Sequence, residues 1–142
     1  MKETYSLFEG LEHVDFARVQ EWLSSSYWTP GIAQDRIEHA SQHSALVLSA
    51  YTSTGIQAGF LRVVSDKARF AYLCDVWVDT PHRGQGLARR MVQHALQHPD
   101  FATVSTWTLG TKDAQQVYSG LGFSDITEPG AYPYTFMVRR TA

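Results

Sequence analysis

A chain of 142 residues fits one domain near the commonest size, large enough to bury a core and too short for two ordinary domains. At 44% hydrophobic, 13% aromatic and 18% charged it can offset its ordering entropy by burial, which excludes disorder. A formal net charge of -2 with no run of like charges leaves no electrostatic footprint for nucleic acid or a membrane patch, so any bound anion must be held locally. The single Cys74 excludes an intramolecular disulfide and a multi-cysteine zinc site and suits a reducing compartment. No apolar run approaches the roughly 18 residues of a membrane span, and "MKETYSLFEG" lacks the apolar stretch of a signal peptide. A soluble cytoplasmic protein is the expectation.

In chain order, "TYSLFEG" suits a short first strand. From Asp15, "DFARVQEWL" sets Phe16, Val19 and Leu23 on one helical face behind an aspartate cap. "SSSYWTPG" breaks that pattern, with Pro30 and Gly31 fitting the central positions of a type II turn. "IAQDRIEHASQHS" reads as a second helix with Ile37 and Ala40 inward. The period then changes to two, or to continuous apolar runs, over 45–51, 56–64 and 69–78, which predicts an antiparallel meander. A helix from about Leu87 to Gln97 stops at His98-Pro99. "TVSTWTL" (103–109) is another strand, and the helix before it lets it run parallel to strand 69–78. A short helix, "KDAQQVYSGLG", and a last strand, "YTFMVRR" (134–140), close the chain. With no repeat or dividing linker, the order predicts one mixed α/β domain over 1–142, built on a mostly antiparallel sheet flanked by helices.

The segment "VDTPHRGQGLARRMVQHAL" (78–96) is the most informative. The chain leaves a strand and enters a helix whose first amides lack intrahelical partners, so several N–H donors and the positive end of the helix dipole face one spot. Gly84 and Gly86 let backbone approach a phosphate group with no Cβ in the way, and Arg83 and Arg89 add charge. The mononucleotide pattern G-x-x-x-x-G-K-[S/T] is absent, and "GQGLAR" fails the dinucleotide fingerprint G-x-G-x-x-G at its last position.

The pattern that fits is R-x-x-G-x-A, Arg83 to Ala88, and there the sequence resembles the GNAT N-acetyltransferase family, in which this loop holds the pyrophosphate of acetyl-CoA. A second element stands at the right distance: "TKDAQQVYSGLGF" (111–123) is similar to the family's N-x-x-A-x-x-L-Y-x-x-x-G-F. Ala114, Tyr118, Gly122 and Phe123 match, while Thr111 and Val117 replace the usual Asn and Leu. The pattern-level likeness runs over roughly residues 45–140. It implies a GNAT-like domain whose fourth and fifth strands run parallel and splay apart. The cofactor would meet Arg83, Gly84, Gln85, Gly86, Leu87, Ala88 and Arg89, together with Thr111, Asp113 and Tyr118.

Acetyl transfer from a thioester needs an unprotonated amine, donors at the carbonyl oxygen and a proton for the departing thiolate. Tyr118 is the candidate acid, since a phenol with an unperturbed pKa of about 10 is protonated at neutral pH. Its spacing with Ala114, Val117 and Leu121 equally suits core packing. The resemblance implies an oxyanion donor among the amides of Val76, Trp77 and Val78, which in a regular sheet would all be taken by neighbours; a gap or bulge is required.

Asp75 interrupts an apolar strand, and strict alternation sets it on one face with Leu73 and Trp77 and opposite Cys74. It is either a base or a structural acceptor for donors such as Arg62. Tyr27 and Trp28 either shape the acceptor pocket or cover the core edge, and Trp107 has the same two readings. Cys74 reads as inert core. His39/His43 and His94/His98 are spaced i, i+4 with no third ligand nearby, so solvated helix faces and no metal are expected. The function implied is acetyl transfer from acetyl-CoA to a primary amine of an unidentified small molecule, the alternative being a non-catalytic acyl-CoA-binding sensor. A homodimer is compatible with the family resemblance.

Overall fold

The computed structural model describes residues 3–130 and 132–141. The chain forms two compact units, one ending at Gly110 and one beginning at Thr111. The first holds all five strands: β1 (Tyr5–Glu9), β2 (Leu46–Thr52), β3 (Gln57–Ser65), β4 (Phe70–Val78) and β5 (Thr106–Thr108), in spatial order β1-β2-β3-β4-β5. The first four pair antiparallel as a meander, and β4 pairs parallel with β5 across the helix α3 (Leu87–Leu96). The mixed sheet expected from the sequence is therefore present, parallel pair included.

Helices α1 (Phe16–Ser24) and α2 (Gln34–Gln42) precede β2. Asp15 caps α1 by accepting the Arg18 amide at 3.2 Å, as its sequence position suggests. Val19, Trp22 and Leu23 of α1 and Ile37 of α2 bury themselves against Val47 and Phe60. The next residue back from Phe60, Gly59, points the other way and meets α3: a Cβ there would stand 2.9 Å from the Met91 methyl carbon. So α1 and α2 cover one face of the sheet and α3 the other.

A buried polar knot fixes α1 to the ends of β3 and β4. Gln57 Nε2 donates to Ser49 Oγ and to the Gly59 carbonyl, each at 3.0 Å, while its Oε1 accepts the Asp15 amide at 2.8 Å. Arg18 reaches the Gln57 carbonyl and the Asp79 carboxylate, both at 2.7 Å. With its partners supplied, buried Gln57 carries no desolvation penalty, and the chain leaving β4 starts from a fixed point.

Several expected elements change. The strand expected at 103–109 shrinks to Thr106–Thr108, the three residues that find partners on β4, at Phe70, Ala71 and Tyr72. The second unit holds one short helix, α4 (Gln115–Ser119), in place of the longer one expected at 112–122. Thr111 Oγ1 accepts the Ala114 amide at its start, and the Tyr118 carbonyl receives the Leu121 and Phe123 amides at its end, where Gly122 takes φ +96°. The last strand, 134–140, is not formed. No strand pairs with it among the described residues, and Tyr134, Met137 and Val138 are 73%, 89% and 83% exposed; alternation alone does not make a strand without a ladder. No helix among the described residues is long and apolar enough to cross a membrane.

Candidate active site

Within the first unit, β4 departs from a regular strand twice. β5 pairs only with Phe70, Ala71 and Tyr72, so from Leu73 to Val78 the outer edge of β4 has no strand beside it among the described residues. On its inner edge the register slips: Trp77 lies opposite Phe60 but Cys74 opposite Arg62, so three steps on β4 match two on β3. The extra residue is a β-bulge at Asp75, which takes φ +55°, a left-handed conformation that aspartate tolerates better than most side chains. The bulge breaks the alternation assumed from the sequence. Cys74 shares the face of its partner Arg62, and Leu73, opposite Val63, turns to the other face.

The open edge leaves main-chain donors with no strand partner among the described residues. Asp79 donates its amide to the Ala58 carbonyl at 2.8 Å, so alternation turns the amides of Val78 and Val76 away from β3, while that of Trp77 faces β3. Consistent with this, the Val78 carbonyl points outward and accepts Arg83 Nε at 2.7 Å. The gap required for an oxyanion donor is thus present at Val76 and Val78.

Beyond β4, Asp79 caps a 3-10 turn (Thr80–His82), and the loop enters α3 through Gly84 and Gly86, both at φ +79° with open space where a Cβ would stand. Gly86 is the N-cap, left-handed, with no side chain capping the helix. The amides of Gly84, Gln85, Gly86, Leu87 and Ala88 donate to no group among the described residues. Five N–H groups and the helix dipole are therefore available to an anion. Arg83 adds its charge from an anchored position, its guanidinium 5.0 Å from the centre of the Trp77 ring. Arg89 is exposed on the first turn of α3, and Gln85 turns back toward the Tyr5 hydroxyl.

The loop is braced by residues that sequence reasoning missed. The Tyr5 hydroxyl meets His82 Nδ1 at 2.7 Å, and Arg90 donates to the Tyr5 carbonyl at 2.9 Å. These partners lie 77 and 85 positions apart, a distance at which no local pattern signals a contact.

Asp75 sits in the bulge with both oxygens engaged: Arg62 Nε donates to Oδ2 at 2.8 Å and the Trp28 indole to Oδ1 at 2.9 Å. Trp28 stacks near Tyr27 (4.9 Å between ring centres) and Trp77 (6.0 Å), so three of the expected acceptor-side residues do converge on β4. Trp107 does not join that ring cluster; it packs edge-on against buried Phe101 at 5.3 Å. Cys74 is buried, and desolvation pushes its thiol up to about 11, which leaves it unreactive at neutral pH. In the second unit Tyr118 is half-buried, its ring 6.0 Å from that of Phe123, and Thr111 is engaged in capping α4. Asp113 is exposed.

The histidine pair His94/His98 is not simply solvated: their Nε2 atoms lie 2.8 and 2.9 Å from the two oxygens of Glu9. The His94 hydrogen bond first, then that of His98, holds the Glu9 carboxyl below its usual 4.5 against the opposing effect of burial. A lowered folded value means stabilisation that is present above about pH 4.5 and lost as pH falls through the folded value. Urea midpoints followed against pH are expected to fall less steeply for Glu9→Gln than for the wild type below that point. Parallel curves would dismiss the linkage. The rings of His39 and His43 are tilted with their centres 4.5 Å apart, and His43 Nδ1 lies 2.9 Å from the His39 carbonyl.

Comparison with known proteins agrees with this fold. The model of the acetyltransferase (GNAT) family matches residues 7–123. A GNAT-family protein from Xanthomonas campestris pv. campestris superposes with a TM-score of 0.88 at 30% identity, covering 99% of this chain and 96% of its own. An acetyltransferase of the GNAT family from Streptococcus pneumoniae (TM-score 0.71, 20% identity, 96% and 100% coverage) shares the fold. So does glucosamine-6-phosphate N-acetyltransferase from Arabidopsis thaliana (TM-score 0.68, 15% identity, 98% and 99% coverage). No curated protein matched in the sequence search. The chain belongs to the GNAT acetyltransferase family.

Proposed function

We propose that residues 1–142 act as one acetyltransferase domain that binds acetyl-CoA on the loop from Arg83 to Arg89 and passes the acetyl group directly to a primary amine of a small molecule. The observation that carries this reading is the run of five amides, Gly84 to Ala88, that donate to no group among the described residues, one turn beyond a strand whose outer edge is open. A diphosphate suits that cradle because the donors are fixed, the dipole is favourable and the two glycines keep side chains out of the way. Bound acetyl-CoA supplies an activated acyl group with a thiolate leaving group. The Val76 and Val78 amides donate to the carbonyl oxygen as charge develops there. The amine attacks the carbonyl carbon, the C–S bond breaks, and Tyr118 gives its proton to the departing sulfur. The amine's own proton leaves to water, and Tyr118 recovers its proton from water, so no net proton is released. A cytoplasmic location suits this reading, since the one cysteine is buried and needs no oxidising compartment.

The test pairs calorimetry of acetyl-CoA binding with a thiol-release screen against varied primary amines. Saturable binding, with thiol release only when an amine is present, is expected. Absence of heat with acetyl-CoA and with CoA would remove the reading, and tight binding without turnover on any amine would replace the enzyme by an acyl-CoA sensor.

A further inference from the structure

Tyr27 and Trp28 leave 47% and 38% of their surfaces in solvent, an unusual exposure for large aromatic rings that are also held in place. The hold is specific. Trp28 belongs to the loop between α1 and α2, and its indole N–H is tied to Asp75, 47 positions along the chain, with the carboxylate anchored in turn by Arg62. Arg62 is itself steadied by Ser44 Oγ at 3.3 Å. The bulge at Asp75 aims this carboxylate toward Trp28, so a conformation uncommon for a non-glycine residue serves to fix an exposed ring.

Two consequences follow from the same contacts. Each Asp75 oxygen already accepts a bond, from Arg62 or from Trp28, so a proton taken on either one would weaken the contact that offsets the arginine's charge or the contact that holds the ring. In addition, both carboxylates at this end of β4 are committed to arginines, Asp75 to Arg62 and Asp79 to Arg18 at 2.7 Å. A second ammonium group on an acceptor would find neither of them uncompensated, whereas an apolar body would find the exposed faces of Tyr27 and Trp28.

We infer that, granted the acetyl-transfer reading above, Asp75 is a positioning residue that holds Trp28 and not the base, and that the wall it holds selects a monoamine carried on a flat apolar or aromatic body over a polycationic amine. Asp75→Asn keeps a side chain suited to the left-handed backbone but carries no charge for Arg62, and Trp28→Leu removes the ring.

The experiment compares 2-phenylethylamine with spermidine as acceptors for the wild type and both variants, each first shown to melt cooperatively. The wild type is expected to favour 2-phenylethylamine in kcat/KM. Trp28→Leu should raise the KM for it about tenfold while kcat stays within about twofold, the signature of lost ground-state binding. Asp75→Asn should raise KM likewise and leave the shape of the pH–rate profile unchanged.

A readout independent of turnover uses the indole N–H signals of the four tryptophans in 15N-labelled protein, the one missing from Trp28→Leu being that of Trp28. That signal should move in Asp75→Asn, and in the wild type with acetyl-CoA present it should move on adding 2-phenylethylamine but not spermidine. Preference for spermidine, loss of a pH limb in Asp75→Asn with KM unchanged, or an unmoved Trp28 signal while acetyl-CoA binds would overturn this inference alone. Failure of acetyl-CoA to bind would instead overturn the acetyl-transfer reading.

Discussion

Gly86→Val is expected to lower acetyl-CoA affinity by at least about a hundredfold, the largest effect of any single change in the loop. Gly86 stands at φ +79° and ψ +14°, where a β-branched residue is a conformational outlier costing on the order of 1–3 kcal/mol. If the loop relaxes to avoid that cost, the amides of Gly84 to Ala88 no longer converge. If it does not, the new side chain fills the open space in front of them. Both routes remove donors from a diphosphate. Gly86→Asn separates them, because asparagine tolerates the left-handed region: it should melt close to the wild type and still bind acetyl-CoA about tenfold more weakly, through occlusion alone. Calorimetry of both variants decides the matter, and wild-type affinity in a folded Gly86→Val protein would show that this loop does not hold the cofactor.

Tyr118→Phe is expected to reduce kcat by about a hundredfold to a thousandfold with acetyl-CoA binding unchanged, the range over which a positioned general acid typically acts. Two observations support a chemical role over simple core packing. The helix α4 that carries Tyr118 buries none of its residues, and Tyr118 is itself half-buried with its ring set edge-on to Phe123. Phenylalanine keeps that ring contact and removes only the hydroxyl, and a thermal melt of the variant separates any change in folding from the change in kcat. Single-turnover measurement with acetyl-CoA prebound isolates the step. Full activity in Tyr118→Phe would pass the proton to another donor.

How far the residues could be read in advance differs by position. Asp15 announced a helix start because a cap is a local device: its carboxylate meets an amide three residues on. The loop was legible for the same reason, since a glycine pair before an amphipathic run specifies both a backbone conformation and a helix end within six residues. The strand expected at 134–140 shows the limit of such reading. Its alternation is real, but a strand is stabilised by a neighbour's main chain, and nothing in "YTFMVRR" says whether one is present.

The histidines failed in the opposite sense. Only His94 lies on the helix, since α3 ends at Leu96 and His98 starts the next turn, and the carboxylate between them comes from Glu9, more than eighty positions away. Asp75 combines both cases: its oddity within an apolar strand was visible, while the bulge that aims it and the two donors that occupy it were not.

By itself, then, the sequence determined the order of elements as far as α4, the meander, the glycine-rich entry to α3 and the family to which these belong, because each is encoded by periodicity or by residues close together in the chain. Only the tertiary structure decided that β4 is bulged at Asp75 and, among the described residues, has no strand on its outer edge beyond Tyr72, that Trp28 is tied to it, and that Tyr5 braces the loop. Those features arise from hydrogen bonds and register between distant segments, whose energies depend on which groups meet in space and leave no mark on either segment alone.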